Sequence, residues 1–278
     1  MHDPLRVFHC VYIVGAYYMR YHCCLSSLVI IGVFVNTAFM HSLSTKLLIK
    51  IPTRSRPEQF FQTVDLFYKK LSGQLPYQFL ISCDTDDQTM NNPEVIDRLK
   101  QYPHLNFYFS HNRSKVEAYN SDIEKHLDFD ILLVVSDDME PVQDGYDLFI
   151  AILMGVHFPD LDGVLNFNDG YVGGECNTLP VIGKKYYETF GYIYHPDYQS
   201  LYCDEELTMV SRMLKREYVS NYLIVRHNHP IHVGSTNKWD ELYEKNEGLN
   251  WVDQETFTIR KERNFDIQNS DINEKDLA

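Results

Sequence analysis

Beyond residue 45, short apolar runs alternate with stretches whose apolar positions recur at helical spacing. "KLLIKI" (46–51) is an apolar run closed by Pro52 and reads as a strand. In "EQFFQTVDLFYKKL" (58–71), Phe60, Val64, Phe67 and Leu71 share one helical face, and Pro57 suits the first turn. "YQFLISC" (77–83) reads as a second strand, "NPEVIDRLKQY" as a short helix and "LNFYFS" (105–110) as a third strand. "SKVEAYNSDIEKHL" (114–127) is helical again, with Ser114 as its N-cap. "ILLVV" (131–135) is apolar throughout, as a strand covered on both faces of a parallel sheet should be. Past residue 145 the pattern loosens. Strand-like "GVLNFN" and "YVSNYLIVRH" mix with one helix, "DEELTMVSRMLKR" (204–216), and a loop rich in Gly and Tyr.

Strand–helix alternation with short connections predicts an α/β domain over 46–262, a mainly parallel sheet flanked by helices, followed by a polar tail at 263–278. In such sheets ligands bind beyond the carboxyl ends of the strands. The four early strands end at "PTRSRP", "DTDD", "HNRSK" and "SDDM". One polar strand end is ordinary loop chemistry. Four of them on one sheet edge point to a single site.

Composition narrows the field. Hydrophobic residues make up 44% of the 278 positions, enough for a sizeable core. The formal net charge is -14 and no Lys/Arg run is present, which argues against a nucleic-acid partner. An anionic substrate then needs a metal ion or a few local cations to receive it. The six cysteines show no CxxC pair and no regular spacing, which favours free thiols in a reducing, cytoplasmic compartment. Residues 1–45 stand apart as an apolar extension, densest at "LSSLVIIGVFVNTAF" (25–39) and interrupted upstream by Arg20 and His22. Three readings stay open for it: a membrane anchor, a targeting segment, or an extension outside the working domain. A chain starting at Met40 would reach its first strand within a few residues.

Asp137 and Asp138 sit together at the end of the fourth strand. Adjacent carboxylates repel unless a cation neutralises them, and oxygen ligands of this kind suit Mg2+ or Mn2+. A turn capped by two aspartates is the plainer alternative.

Together, "IPTRSRP", "CDTDD", "NRSKVEAYN", "VVSDDMEP" and "DEEL" resemble, in order and spacing, the GT-A glycosyltransferases, of the broad group that includes family 2. The resemblance spans roughly 46–226 and implies a GT-A, Rossmann-like single catalytic domain. It implies that the first two strand ends hold the nucleotide of a sugar-nucleotide donor through Thr53, Arg54, Arg56, Asp84 and Asp86. Asn112 and Lys115 fall where the family closes over the nucleotide. "SDDM" corresponds to the metal-binding DxD-type motif, bridging Mn2+ or Mg2+ to the diphosphate. Val135 stands where the common D-x-D-D form has its first acid, so Asp137 or Asp138, rather than both, is the expected ligand.

The same resemblance places the catalytic base at "CDEEL", with Asp204 first and Glu205 second, and Cys203 where an acid is common. An inverting transfer needs such a carboxylate to deprotonate the acceptor hydroxyl. Acids in a first helical turn also simply favour the helix dipole. "RHNHPIHVG" offers His227, His229 and His232, and the family's late histidine ligand points to His227 or His229. Gly173 and Gly174 suggest a mobile loop over the donor. Tyr186, Tyr187 and Tyr192 would stack on a sugar or fill the core.

The function implied is metal-dependent transfer of a sugar from a nucleotide-sugar donor to an acceptor hydroxyl, with the acceptor class (glycan, lipid or protein) open. Two alternatives compete. A sugar-phosphate nucleotidyltransferase would carry a Gly-rich loop after the first strand, which "PTRSRP" lacks. A donor-binding module without turnover would fit Val135 and Cys203.

Overall fold

The computed structural model describes residues 44–267, apart from Val233 and Thr236. The apolar extension up to residue 43 lies outside the described residues, as does the chain after 267. Among the described residues no helix is long and apolar enough to cross a membrane.

Strand β1 (Leu47–Thr53) is covered on both faces. Leu47, Ile49 and Ile51 join one core cluster, with Phe60, Val64, Phe67, Phe79 and Ile81. Leu48 joins the other, with Leu80, Tyr119, Ile123, Leu132 and Tyr186. Alternation along the strand sends successive side chains into these two layers. Parallel to β1 run β2 (Tyr77–Asp84) and β4 (Ile131–Val134), and β3 (Leu105–Ser110) extends the sheet beyond β2. The sheet continues through β7 (Pro180–Gly183), β6 (Val164–Asn168) and β8 (Glu217–Leu223), in the order β3-β2-β1-β4-β7-β6-β8. Only β7 runs against its neighbours. A two-stranded antiparallel sheet pairs β5 (Met139–Pro141) with β9 (Val225–His227). The mainly parallel sheet flanked by helices is therefore as the sequence led one to expect.

The early helices follow their signals. Helix α1 (Pro57–Lys70) has proline in its first turn and buries Phe60, Phe61, Val64 and Phe67. Helix α2 (Pro93–Leu99) is capped by Asn92, whose side chain accepts from Val95 N. Helix α3 (Lys115–Asn120) is capped by Ser114, whose Oγ accepts from Glu117 N at 3.0 Å. It stops well short of Leu127, because Asp122 takes a left-handed φ of 69° and a 3-10 turn follows at Ile123–Lys125. The Asp122 carboxylate accepts from Ser82 on β2 and from Lys125 three residues on, which fixes the turn against the sheet.

The later helices differ in how plainly the sequence marked them. Helix α4 (Tyr146–His157) is buried along most of its length, so it lacks the polar face that a periodicity reading needs. Helix α5 (Lys184–Phe190) carries Tyr186 and Tyr187, and helix α6 (Cys203–Met213) lies where "DEEL" put it. Helix α7 (Glu241–Glu247) is followed by α8 (Asn250–Glu262), whose buried residues are Asp253 and Arg260, both charged and hence invisible to a hydrophobic pattern. Packing continues past 262: Phe265 is buried in the second core cluster and Asp266 accepts from Arg260.

The expected single strand "YVSNYLIVRH" is two. The chain breaks at Ile224, whose carbonyl accepts from Val142 N and Gln143 N, and β9 leaves the main sheet to pair with β5. This register sets His227 opposite Met139, beside the aspartate pair.

Candidate functional site

The carboxyl ends of β1, β2 and β4 carry two neighbouring polar clusters. Arg54 leaves β1 and binds the acids after β2: Nη1 donates to Asp84 Oδ2 and Asp86 Oδ1, both at 2.7 Å, and Nη2 to Asp86 Oδ2 at 2.9 Å. Asn112, after β3, donates to Asp84 Oδ1 at 2.8 Å. Ser55, at a left-handed φ of 64°, donates its N–H to Asp87 Oδ2 at 2.7 Å. The Arg54 hydrogen bonds hold Asp86 down at about 2. Arg54, Asp84, Asp86 and Asn112, expected to share one role, therefore do stand together.

Arg56 sits one layer deeper. Its Nε and Nη2 grip Asp240 at 2.7 and 2.6 Å, and its Nη1 donates to Asp137 Oδ1 at 3.2 Å. The guanidinium lies 3.8 Å above the Tyr243 ring. Thr53 Oγ1 donates to Asp137 Oδ2 at 3.3 Å, and Thr63 Oγ1 donates to the Asp137 carbonyl at 2.7 Å. Both oxygens of Asp137 are thus already engaged.

Asp138 is engaged as well. Ser136 Oγ donates to Oδ1, Tyr243 Oη donates to Oδ2 at 3.0 Å, and His227 Nε2 lies 3.4 Å from Oδ2. The two carboxyls are pushed apart electrostatically. Burial, reinforced by Asp138, lifts Asp137 to about 7 against the pull of Arg56. Burial acts on Asp138 too, but His227, Ser136 and Lys115 outweigh it and hold that carboxyl well below the usual range. His227 is correspondingly raised: burial lowers it, and Asp138 more than reverses that.

This bears on the expected metal ligands. The aspartate pair does not meet a cation as two free carboxylates, since arginine, histidine, tyrosine and hydroxyl groups already compensate it. His229 packs edge-on against Tyr243 at 4.6 Å and against Trp239, its ring 5.8 Å from that of His227, and burial lowers it to about 4. His232 instead comes together with His227 and with Asp169, a residue the sequence reading passed over. Its signal was present in "NFNDG", an acid directly after a strand end, on the sheet edge that carries the rest of the site.

Helix α6 brings the expected acids. Asp204 lies half-buried in its first turn, Glu205 is exposed, and burial together with Asp204 raises Glu205. Glu206 is structural: Arg260 binds it through Nε and Nη2 at 2.7 and 2.8 Å, and Tyr198 donates to it at 2.7 Å. Cys203 is buried, its Sγ 3.7 Å from Ser200 O. Lys115, first in α3, links the two groups of acids: its charge acts on Asp138, His227 and His229, and also on Cys203 beside Asp204.

The glycine loop is anchored rather than loose. Gly174, at φ +87°, offers its carbonyl to Asn166 Nδ2 at 3.0 Å and Arg212 Nη2 at 2.7 Å. Tyr186 and Tyr187 are core residues.

Sheet order, the site at the strand ends and the β5–β9 ribbon together define a GT-A glycosyltransferase fold. A mannosyltransferase from Pyrobaculum calidifontis, solved with GDP-Man and Mn2+, superposes with a TM-score of 0.53, covering 82% of this chain and 70% of that chain at 10% identity. TarS of S. aureus (residues 1–349) gives a TM-score of 0.49 at 14% identity, covering 63% of this chain and 58% of that one. No protein-family model matches the chain, and no curated protein matches it in sequence.

Proposed function

We propose that this protein transfers a sugar from a nucleotide-sugar donor to an acceptor hydroxyl, with inversion at the anomeric carbon. The carrying observation is the gathering of polar clusters at the ends of β1, β2 and β4: Arg54, Asp84 and Asn112 form one, and Arg56 with Asp137 the next, beside Asp138 and His227. The structural neighbour bound to GDP-Man supports a donor of this class.

Asp84 and Asn112 offer acceptor and donor atoms to the base and ribose. Arg54 and Lys115 provide positive charge for a diphosphate at the mouth of an otherwise acidic protein, while the buried Arg56 holds Asp137 in place behind them. A divalent cation, Mn2+ or Mg2+, would add charge neutralisation for the leaving diphosphate. Asp204 takes the acceptor proton as the hydroxyl oxygen bonds to the anomeric carbon. The bond from that carbon to the diphosphate oxygen breaks, and the nucleoside diphosphate leaves with the electron pair.

A second reading, a donor-binding module without turnover, is favoured by Cys203, a buried thiol where the family commonly has an acid. Binding is common to both readings and is tested first. A thermal-shift panel of nucleotide sugars, with and without Mn2+, is expected to raise Tm for at least one nucleotide class. Arg54→Ala is expected to abolish that shift. No stabilisation by any nucleotide would remove both readings.

A further inference from the structure

His227 is fixed on two sides and unmet on a third. Its backbone N–H donates to the Asp169 carbonyl at 3.0 Å, and its Nε2 lies 3.4 Å from Asp138 Oδ2. Its Nδ1 is buried and has no hydrogen-bond partner. A buried ring nitrogen without a partner is costly, and natural folds seldom leave one without a purpose. With the Nε2 proton facing Asp138, Nδ1 presents a lone pair.

What surrounds His227 suits a metal ion. One ligand atom each from Asp169, His227 and His232 lies within 4.8 Å of the other two, so a single ion can reach all three. Asp169 is held rigidly: Oδ1 accepts from Tyr171 N and Val172 N at 2.9 and 2.8 Å, and Oδ2 accepts from Thr178 Oγ1 at 2.8 Å. That uses three of the roughly four acceptor positions of a carboxylate and leaves one for a cation. The His232 ring is stacked on Tyr171 at 4.1 Å, which fixes its plane.

We infer that Asp169, His227 and His232 form a binding site for one divalent transition-metal ion, with Asp138 as the carboxylate partner of the liganding histidine. A carboxylate behind a metal-bound imidazole is the usual way of fixing its tautomer and orientation. Two imidazoles and one carboxylate favour Mn2+, Co2+ or Zn2+ over Mg2+. Three protein ligands leave coordination positions open to exchangeable oxygen atoms. Asp137 takes no part, since its oxygens face Arg56 and Thr53. The site is defined without any nucleotide and does not depend on the transfer reaction proposed above.

The test uses the metal alone. Purified protein is titrated with Co2+, followed by its visible absorption, and with Mn2+ by calorimetry, in the absence of nucleotide. Circular dichroism checks that each variant keeps its fold. Wild type is expected to bind one equivalent, and Asp169→Asn and His232→Ala to lose it. Asp138→Asn should weaken binding roughly 10- to 100-fold, as loss of a ligand's hydrogen-bond partner does. Asp137→Asn should leave affinity unchanged. Absence of binding in wild type, undiminished binding in folded His232→Ala, or loss of binding in Asp137→Asn would each overturn the site. A separate nucleotide-sugar thermal-shift result distinguishes this failure from failure of the glycosyltransferase reading.

Discussion

Lys50 and Arg56 show two ways of burying a cation in this protein. Lys50 points from β1 into the second core layer, fully buried, donating to Ser82 Oγ and to Ser121 O at 2.8 Å. Burial pushes its ammonium down to about 7 from 10.5. Between those values the unfolded chain holds one more proton than the folded chain, so this group makes stability rise with pH from about 7 to about 10. Below about 7 both states are protonated and the burial cost is complete. Urea midpoints measured across this window should climb less steeply in Lys50→Met than in wild type. Equal slopes would contradict the assignment. Arg56 is instead matched by Asp137 and Asp240 and covers Tyr243. Removing one partner of a buried ion pair commonly costs about 3–5 kcal/mol. Partial exposure of Asp240 reduces this, so Arg56→Ala is expected to lower stability by about 2–3 kcal/mol in denaturant unfolding, together with donor binding. The sequence pointed to Arg56 but not to its main partner, because the pair is separated by 184 positions.

Helices and strands differ in how plainly they were written. The first four strands and α1 follow hydrophobic spacing, proline and capping signals closely, because each has a clear apolar face or run. Helix α4 was missed for having too much apolar surface, and α8 for having too little. Yet α8 holds the proposed catalytic helix in place. Asp253 accepts from Gln199 N, Ser200 N and Leu201 N at 2.9, 2.8 and 2.7 Å, shaping the approach to α6, and Arg260 ties down Glu206. Each unmet buried donor costs about 1–3 kcal/mol, so Asp253→Ala should lower stability by about 3 kcal/mol or more in denaturant unfolding. Its turnover should fall more than its donor affinity, since the displaced element carries Asp204 rather than the nucleotide contacts.

Across the molecule, one sheet edge gathers groups that the sequence scatters. The polar ends of the early strands were legible because strand direction in an α/β fold dictates where they meet. Asp240 and Tyr243 were not, since both enter through chain that follows the split between β8 and β9, while Asp169 carried the same strand-end signal after β6 without being singled out. What had seemed an uncompensated aspartate pair is answered by groups from three other regions: Arg56 after β1, His227 on β9 and Tyr243 on α7. The central claim, glycosyl transfer with Asp204 as base, is tested most directly by nucleoside diphosphate release. Wild type and Asp204→Asn are incubated with a panel of nucleotide sugars and Mn2+, and release is measured beside the thermal shift. The account predicts release by wild type from at least one donor. It also predicts a fall of roughly 100- to 10,000-fold in Asp204→Asn, with that donor's thermal shift retained. Donor binding with no release by wild type, or undiminished release by Asp204→Asn, would contradict it.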